Sequence, residues 1–182
     1  MKLKLIGKRI ILRPVKKIDA ADIQKHAKNK EVSRYTTLPY PYRLKDAQKW
    51  IRACELNFKK KKSYDLGIEL KSKKKLIGMI SLMKIDKQNK NAELGYWLGK
   101  KYWRQGIATE AAKLILKVGF KKLKLERIYA RVFNPNRVSA KFLRKMGFRY
   151  EGRLRKNVRN KGRWFDALYF GMLKEEYKKG VK

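Results

Sequence analysis

Hydrophobic and polar residues alternate with a period of two through the middle of the chain. Residues 64–70, 76–82 and 92–98 each place apolar side chains at every second position, and polar turns separate the three segments. This period is typical of strands that bury one face. The centre of the chain is therefore predicted to form an antiparallel meander of three strands.

Elsewhere, apolar residues recur at steps of three and four, the period of a one-sided helix. Helices are predicted over residues 19–28 with Asp19 as N-cap, from 44 to about 58, from 106 to about 122, and over 136–146, where Gly147 supplies the stop. Further strands are predicted at 6–13, 128–132, from 148 onward and at 164–173, with a hairpin turn near 160–162. Residues 35–42 hold two prolines and three tyrosines and are predicted to form an irregular loop.

The predicted order is strand, two helices, three strands, helix, strand, helix and two strands. This order indicates an α/β (α+β) fold in which helices flank a mixed, mostly antiparallel sheet. A length of 182 residues and a hydrophobic fraction of 43% suit one core. Residues 1–182 are therefore expected to form a single domain.

The composition argues against several classes of site. The single cysteine, Cys54, excludes an internal disulfide and a thiolate cluster, and the single histidine, His26, argues against a site with several histidines, so no metal is expected. Cys54 is assigned to the apolar side of its helix and His26 to the surface. Residues 1–14 lack the apolar run of a signal peptide, and no stretch reaches the length needed to cross a bilayer. A cytoplasmic protein without a membrane partner is expected.

The chain is strongly basic, with 51 Lys and Arg against 15 Asp and Glu and a net charge of +36. A field of this sign attracts phosphates, so association with RNA or the ribosome is one interpretation. Lysines occur along the whole chain, however, which fits a solvated lysine-rich surface equally well. The charge alone leaves both interpretations open.

Residues 102–109, Tyr-Trp-Arg-Gln-Gly-Ile-Ala-Thr, connect a predicted strand to a predicted helix. The small residues Gly106 and Ala108 stand at the first helical turn, where unpaired backbone N–H groups and the helix dipole can bind a phosphate. Lys100 and Arg104 add positive charge. The alternative is a tight helix entry that only packs on the strand.

Four segments in a fixed order carry a resemblance to a known family. They are Ala-Glu-Leu-Gly-Tyr-Trp-Leu at 92–98, the loop and helix at 102–112, Asn-Pro-Asn-Arg-Val-Ser at 134–139 and Lys-Met-Gly-Phe at 145–148. Together they resemble the GNAT superfamily of acetyl-CoA-dependent N-acetyltransferases, in particular its ribosomal-protein alanine and serine (Rim-like) branch. The resemblance implies the GNAT-like acyl-CoA N-acyltransferase fold, acetyl-CoA as the acetyl donor and a primary amine as the acceptor.

The resemblance also implies where the donor binds. Backbone groups of Tyr96, Trp97 and Leu98 would contact the pantetheine arm, and Asn134 and Ser139 would face the pantetheine and the thioester. The phosphates of CoA would be held by a larger set: Arg104, Gln105, Gly106, Ile107, Ala108, Thr109 and Lys145. Trp103 and Arg104 depart from the family's pattern, which often has Arg or Gln at the first of these positions and Gly at the second.

Acetyl transfer to an amine requires a proton acceptor, a donor to the oxyanion and a proton donor for the departing thiolate. In the family geometry Glu93 lies next to the thioester and is predicted as the base, directly or through water; the alternative is a strand residue that faces solvent. Backbone N–H near Leu98 would stabilise the oxyanion. The family's usual acid is a tyrosine at the position of Leu143, so Ser139 is the best remaining donor and Tyr169 a weaker one. Ser139 alternatively bonds its local backbone.

The acceptor is predicted from charge. A free α-amine has a pKa of about 8 against about 10.4 for lysine, and a strongly positive protein disfavours cationic acceptors. The expected acceptor is a protein or peptide α-amine of ribosomal-protein type, attacking directly in a ternary complex. Tyr35, Tyr40 and Tyr42 either wall the amine site or pack their own loop. The alternatives are a small amine such as a polyamine or aminoglycoside, or an inactive RNA- or ribosome-associated module, and both a monomer and a dimer remain open.

Overall fold

The computed structural model describes residues 3–180, which form eight strands and six α-helices. The strands are β1 (Leu5–Ile6), β2 (Ile10–Pro14), β3 (Tyr64–Leu70), β4 (Lys75–Asp86), β5 (Asn91–Leu98), β6 (Arg127–Phe133), β7 (Arg149–Asn160) and β8 (Arg163–Leu173). The helices are α1 (Ala20–Ala27), α2 (Lys30–Arg34), α3 (Leu44–Lys59), α4 (Ile107–Lys117), α5 (Arg137–Lys145) and α6 (Lys174–Gly180). Within the described residues, none of these helices is both long enough and apolar enough to span a membrane.

The eight strands lie in one sheet, in the order β1-β2-β3-β4-β5-β6-β8-β7. Every neighbouring pair is antiparallel except β5 and β6, which run parallel. The parallel pairing covers only residues 91–93 of β5 and 127–129 of β6. Beyond these residues the strands diverge, and we call the opening between residues 94–98 of β5 and 130–133 of β6 the splay.

Different helices cover the two faces of the sheet. Leu94, Leu98 and Ile128 pack with α4 and α5 in the main core, whereas Trp97 and Met79 pack with α1 and α3 in a second cluster. Since side chains alternate along a strand, residues 93, 95 and 97 share one face and residues 94, 96 and 98 the other. We call these the α1/α3 face and the α4/α5 face.

The predicted mixed, mostly antiparallel sheet with flanking helices is confirmed, and β3, β4 and β5 form the expected meander. The strand predicted at 6–13 is broken, because a turn in which the Gly7 N–H donates to the Ile10 carbonyl at 2.9 Å separates β1 from β2. The sequence pattern does not reveal α2 or α6. Both are too short to show a helical period; α2 has five residues and begins after Asn29, whose side chain accepts from the Glu31 N–H at 2.9 Å.

The β7–β8 hairpin reaches across to the segment before α3. Asn160 Nδ2 donates to the Thr36 carbonyl at 3.2 Å, and Lys161 Nζ donates to the Ser33 carbonyl at 2.5 Å. The Lys161 ammonium also lies 5.8 Å from the ring centre of Tyr40. These contacts tie the hairpin tip to the irregular loop at residues 35–42.

Candidate active site

The splay exposes part of the backbone of β5. The Gly99 N–H donates to the Ile77 carbonyl at 2.8 Å, and the alternation of an antiparallel ladder then turns the backbone groups of residues 95 and 97 toward β4. The groups of Leu94, Tyr96 and Leu98 therefore point into the splay. One of them is already used, since the indole Nε1 of Trp103 donates to the Leu98 carbonyl at 2.8 Å. The remaining edge can pair with an extended chain that carries amides.

Trp97 does not share this edge, although it was predicted with Tyr96 and Leu98. Its backbone faces Met79 of β4, and its indole packs against the cluster formed with α1 and α3. The hydrogen-bond register of β4 and β5 decides which residues of β5 turn their backbone toward β4, and the sequence pattern does not reveal that register. Trp97 is thus a packing residue of the α1/α3 face.

The turn before α4 is shaped for an anion. Gly106 is the N-cap residue with φ of 72°, the left-handed region in which glycine is unstrained, and no side chain among the described residues caps the helix. The first intrahelical bond runs from the Glu110 N–H to the Gly106 carbonyl at 3.1 Å. The N–H groups of Ile107, Ala108 and Thr109 therefore have no partner within the helix, at the positive end of its dipole.

Arg104, one of the two departures from the family pattern, also has a left-handed backbone, with φ of 59°. A side chain there costs roughly 1 to 2 kcal/mol relative to glycine. The exposed Arg104 side chain adds a cation beside the turn.

Arg9 holds the turn from outside and was not predicted. Its Nη1 donates to the Gln105 carbonyl at 2.7 Å, and its backbone N–H and Nε donate to Glu110 at 2.8 and 3.1 Å. Burial opposes ionisation of Glu110, but the bonds from Arg9 and from the Ile10 N–H outweigh it and lower the pKa of that carboxyl. The β1–β2 turn is thus held both to the loop and to the first turn of α4.

Glu93 is the last residue of β5 that pairs with β6, so it stands at the apex of the splay. Its side chain is only 4% exposed, which excludes the alternative of a strand residue facing solvent. Arg131 Nε donates to Oε1 at 2.9 Å. Lys84 Nζ lies 2.8 Å from Oε2, as an ion pair outside hydrogen-bond alignment. Two cations therefore face the two oxygens of the buried carboxylate.

A cavity of about 230 Å³ opens beside Glu93. We call it the acceptor pocket, and its lining residues are Lys84, Asn91, Arg127, Tyr129, Arg131 and Tyr169. Tyr129 and Tyr169 stack with ring centres 6.4 Å apart. Tyr169 therefore lies on the α1/α3 face with Glu93, and not beside Ser139 as its interpretation as a second proton donor would require.

Tyr96 and Ser139 meet on the opposite face. The Tyr96 hydroxyl lies 2.7 Å from the Ser139 hydroxyl, and the Tyr96 ring packs on Phe142 with centres 4.8 Å apart. The Ser139 backbone N–H donates to Asn136 Oδ1, the N-cap of α5. The described hydrogen bond of the Ser139 hydroxyl is to Tyr96 rather than to its local backbone. Burial raises the pKa of Tyr96, and its phenol stays protonated at neutral pH. Leu143, at the position of the family's usual acid, is fully buried.

The other predicted residues have mixed placements. Asn134 is half-buried and donates its backbone N–H to the Asp166 carbonyl at 2.9 Å, and Lys145 is exposed at the end of α5. Of the three tyrosines, Tyr40 is exposed beside Lys161 and Tyr35 is half-buried under Arg34. Tyr42 is different: it lies in the α1/α3 cluster and does not line a groove.

Two assignments outside the site can also be compared with the structure. His26 is buried rather than on the surface, because it packs edge-on against Tyr102 at 5.5 Å between ring centres. Burial, with Lys101 and Lys25 nearby, lowers its pKa. Cys54 is buried in α3, and burial raises the pKa of its thiol, which makes it a poor nucleophile. Within residues 3–180, no group of three His, Cys, Asp or Glu side chains is placed to hold a metal ion.

Comparison with known proteins identifies the family to which this chain is similar. Residues 9–149 match the family described as the acetyltransferase (GNAT) domain. The uncharacterized N-acetyltransferase YoaA of Bacillus subtilis is 34% identical over 91% of this chain and 94% of its own length. The crystal structure of a GNAT-family acetyltransferase from Bacillus anthracis superposes with a TM-score of 0.83 at 26% identity, covering 95% of this chain and 99% of the other.

Two relatives carry names that state an acceptor. The putative ribosomal N-acetyltransferase YdaF of Bacillus subtilis is 34% identical over 56% of each chain. A spermidine N(1)-acetyltransferase of Escherichia coli is 26% identical over 91% of this chain and 87% of its own length. The relatives therefore agree on the transferred group and differ in the amine.

Proposed function

The chain belongs to the GNAT family of acetyltransferases, which use acetyl-CoA as the donor, and on that premise we propose that its acceptor is the α-amine of a peptide or protein. The activity itself, N-acetyl transfer, follows from the family and from named N-acetyltransferases among the relatives. The choice of acceptor rests on the charge around Glu93.

One observation carries the choice of acceptor. Both oxygens of Glu93 already face a cation, Arg131 or Lys84, and the residues lining the acceptor pocket include no carboxylate. A polyamine presents two or more ammonium groups that each need a partner when they leave water. An α-amine presents one charge, and its pKa of about 8 leaves an appreciable fraction as free base at neutral pH.

The donor side fits acetyl-CoA by its backbone. The open backbone edge at Tyr96 suits the amides of the pantetheine arm, and the turn at residues 105–109 suits the pyrophosphate. Arg104 and Lys145 are exposed cations beside α4 and on α5. When bound there, acetyl-CoA supplies an acetyl group activated as a thioester.

The residues of this chain divide the proton transfers between the two faces. Glu93 takes the proton of the incoming amine, directly or through one water, on the α1/α3 face. The Leu98 N–H, which points into the splay, donates to the carbonyl oxygen as charge builds on it. On the α4/α5 face, the Ser139 hydroxyl gives its proton to the departing thiolate as it takes one from the Tyr96 phenol, and Tyr96 regains its proton from solvent once CoA has left. Attack and departure thus occur on opposite sides of the sheet.

The test is release of CoA thiol from acetyl-CoA in the presence of defined acceptors. Peptides that begin with Ala or Ser are compared with the same peptides blocked at the N-terminus but carrying a lysine, and with spermidine. We expect thiol release with the free peptides and mass addition at the α-amine. Release with spermidine or with the blocked lysine peptides alone would refute the proposed acceptor. RNA binding that falls steeply with salt, without any thiol release, would favour the inactive module instead.

A further inference from the structure

We propose that the acceptor pocket binds a carboxylate of the acceptor, so that the preferred substrate carries Asp or Glu within the first few residues after its reactive amine. This inference rests on the proposed function and adds a specificity to it. The ligand chemistry is a carboxylate held by guanidinium and ammonium groups. Neighbouring groups on the α1/α3 face would bind the amine and the carboxylate of one acceptor.

The pocket is cationic and polar. It draws Lys84 from β4, Arg127 and Arg131 from β6, and the two stacked tyrosines, with Asn91 from β5 completing the lining. Because its lining offers hydrogen-bond donors and no carboxylate, an anionic group is the ligand that leaves the fewest of these donors unpaired.

The cations keep donors available after their internal pairs are made. Among the described contacts, Arg131 uses only Nε on Glu93, which leaves its two terminal nitrogens for a ligand. The Lys84 side chain is 58% exposed and pairs with Glu93 through one contact. Arg127 pairs with Glu151 through its terminal nitrogens and lies over the Tyr129 ring at 5.8 Å, so it forms the far wall of the pocket.

The pocket and the base share the same two cations. Lys84 and Arg131 touch Glu93 and also line the pocket, so a carboxylate bound there lies a short distance from an amine at Glu93. An extended chain advances about 3.3 to 3.6 Å per residue, which restricts the acidic side chain to roughly the second to fourth residue of a peptide.

Transfer of a proton from the amine to Glu93 strengthens the interaction between the acceptor pocket and the carboxylate of the acceptor. When Glu93 accepts the proton of the amine, Arg131 and Lys84 lose the negative charge that they face. A carboxylate of the acceptor in the pocket replaces that charge at the moment when it is needed. The interaction is therefore stronger during reaction than before it, and an acidic acceptor should raise kcat as well as lower KM.

The experiment compares peptides that differ only by Asp against Asn at the second or third residue, using thiol release to obtain kcat/KM. For the wild type we expect the Asp peptide to be favoured by about tenfold, as for one hydrogen bond to a charged group. In Lys84→Gln the ratio should fall about three- to fivefold, as for a partly exposed ion pair. Lys87→Gln, which removes the same charge at an exposed position outside the pocket, is the matched control and should keep the wild-type ratio.

The outcomes separate the inference from the proposed function. Equal rates with Asp and Asn peptides in the wild type would overturn the inference while leaving peptide acetylation intact. An equal loss of ratio in Lys84→Gln and Lys87→Gln would overturn it too, because the preference would then come from the net charge. Better use of free aspartate than of any peptide would assign the pocket to an amino-acid carboxylate and refute the peptide form. Failure of every peptide to release thiol would remove both proposals.

Discussion

The proposed site has a donor half and an acceptor half, which recognise their ligands by different means. The donor half uses main-chain groups of nearly contiguous residues, the edge at 94–98 and the turn at 105–109. The acceptor half uses side chains from four strands, with Lys84, Glu93, Arg131 and Tyr169 spread over more than eighty positions. In the proposed site, the chemistry common to the family therefore resides in the backbone, and the choice of amine resides in side chains.

This difference explains which half tolerates change. At Arg104 the chain has a left-handed backbone without glycine, and at Trp103 it places an indole on the Leu98 carbonyl, yet the first N–H groups of α4 still lack a side-chain cap. A single substitution in the acceptor half instead removes a charge that another residue requires. We expect variants of the acceptor half to change rate and preference, and variants of the donor half to change the affinity for acetyl-CoA.

The largest effect is expected for Glu93→Gln. Loss of a general base lowers kcat by about a hundredfold, while acetyl-CoA binding, followed by tryptophan fluorescence, should stay unchanged. The loss should be greatest at low pH, where most of the amine is protonated and needs a base, and smallest at high pH, where the amine is already free. A wild-type pH–rate profile in the variant would exclude Glu93 as the base. Because Arg131 and Lys84 lose their partner, a melting curve must accompany the kinetics.

A smaller effect is expected at the hydroxyl pair on the α4/α5 face. Ser139→Ala and Tyr96→Phe should each lower kcat by about tenfold, at the low end for a general acid, because a thiolate leaves readily. If the two hydroxyls act as one relay, the double variant should lose little more than either single one. Burial raises the pKa of Tyr96, so the wild-type rate should not fall as pH rises toward about 10. Fully additive losses would contradict the relay.

The division between backbone and side-chain recognition also explains how much of the site can be predicted from the sequence. The turn at 102–109 is a local pattern and Glu93 lies in a strand whose alternation is plain, so the sequence locates both, and the resemblance to the family then implies their roles. Arg9 cannot, because it contacts Glu110 across 101 positions and nothing near it suggests a loop to hold. The acceptor pocket is also hidden in the sequence, since lysines and arginines line it and such residues occur throughout this chain.

The differences between prediction and structure within the site arise from strand register and from tertiary packing. Trp97 was grouped with Tyr96 and Leu98 because the three are adjacent, but the ladder turns alternate residues to opposite sides. Tyr42 follows a proline in a loop and suggests a binding wall, yet tertiary packing places it in the core. The phenol of Tyr96 was overlooked because its partner, Ser139, stands 43 residues away on a helix.

The smallest effect is expected at Arg9, which touches the donor half from outside. Arg9→Ala removes the bond to the Gln105 carbonyl and the Nε bond to Glu110, so that only the backbone N–H of this residue still supports Glu110. We expect the KM for acetyl-CoA to rise about fivefold, the loss of roughly one net hydrogen bond, with kcat and the Asp/Asn preference unchanged. Lys8→Ala removes the same charge one residue earlier and serves as control. A matching rise in KM in the control would mean that net charge, rather than the clamp, attracts acetyl-CoA, and a change in acceptor preference would show that the two halves of the site are not independent.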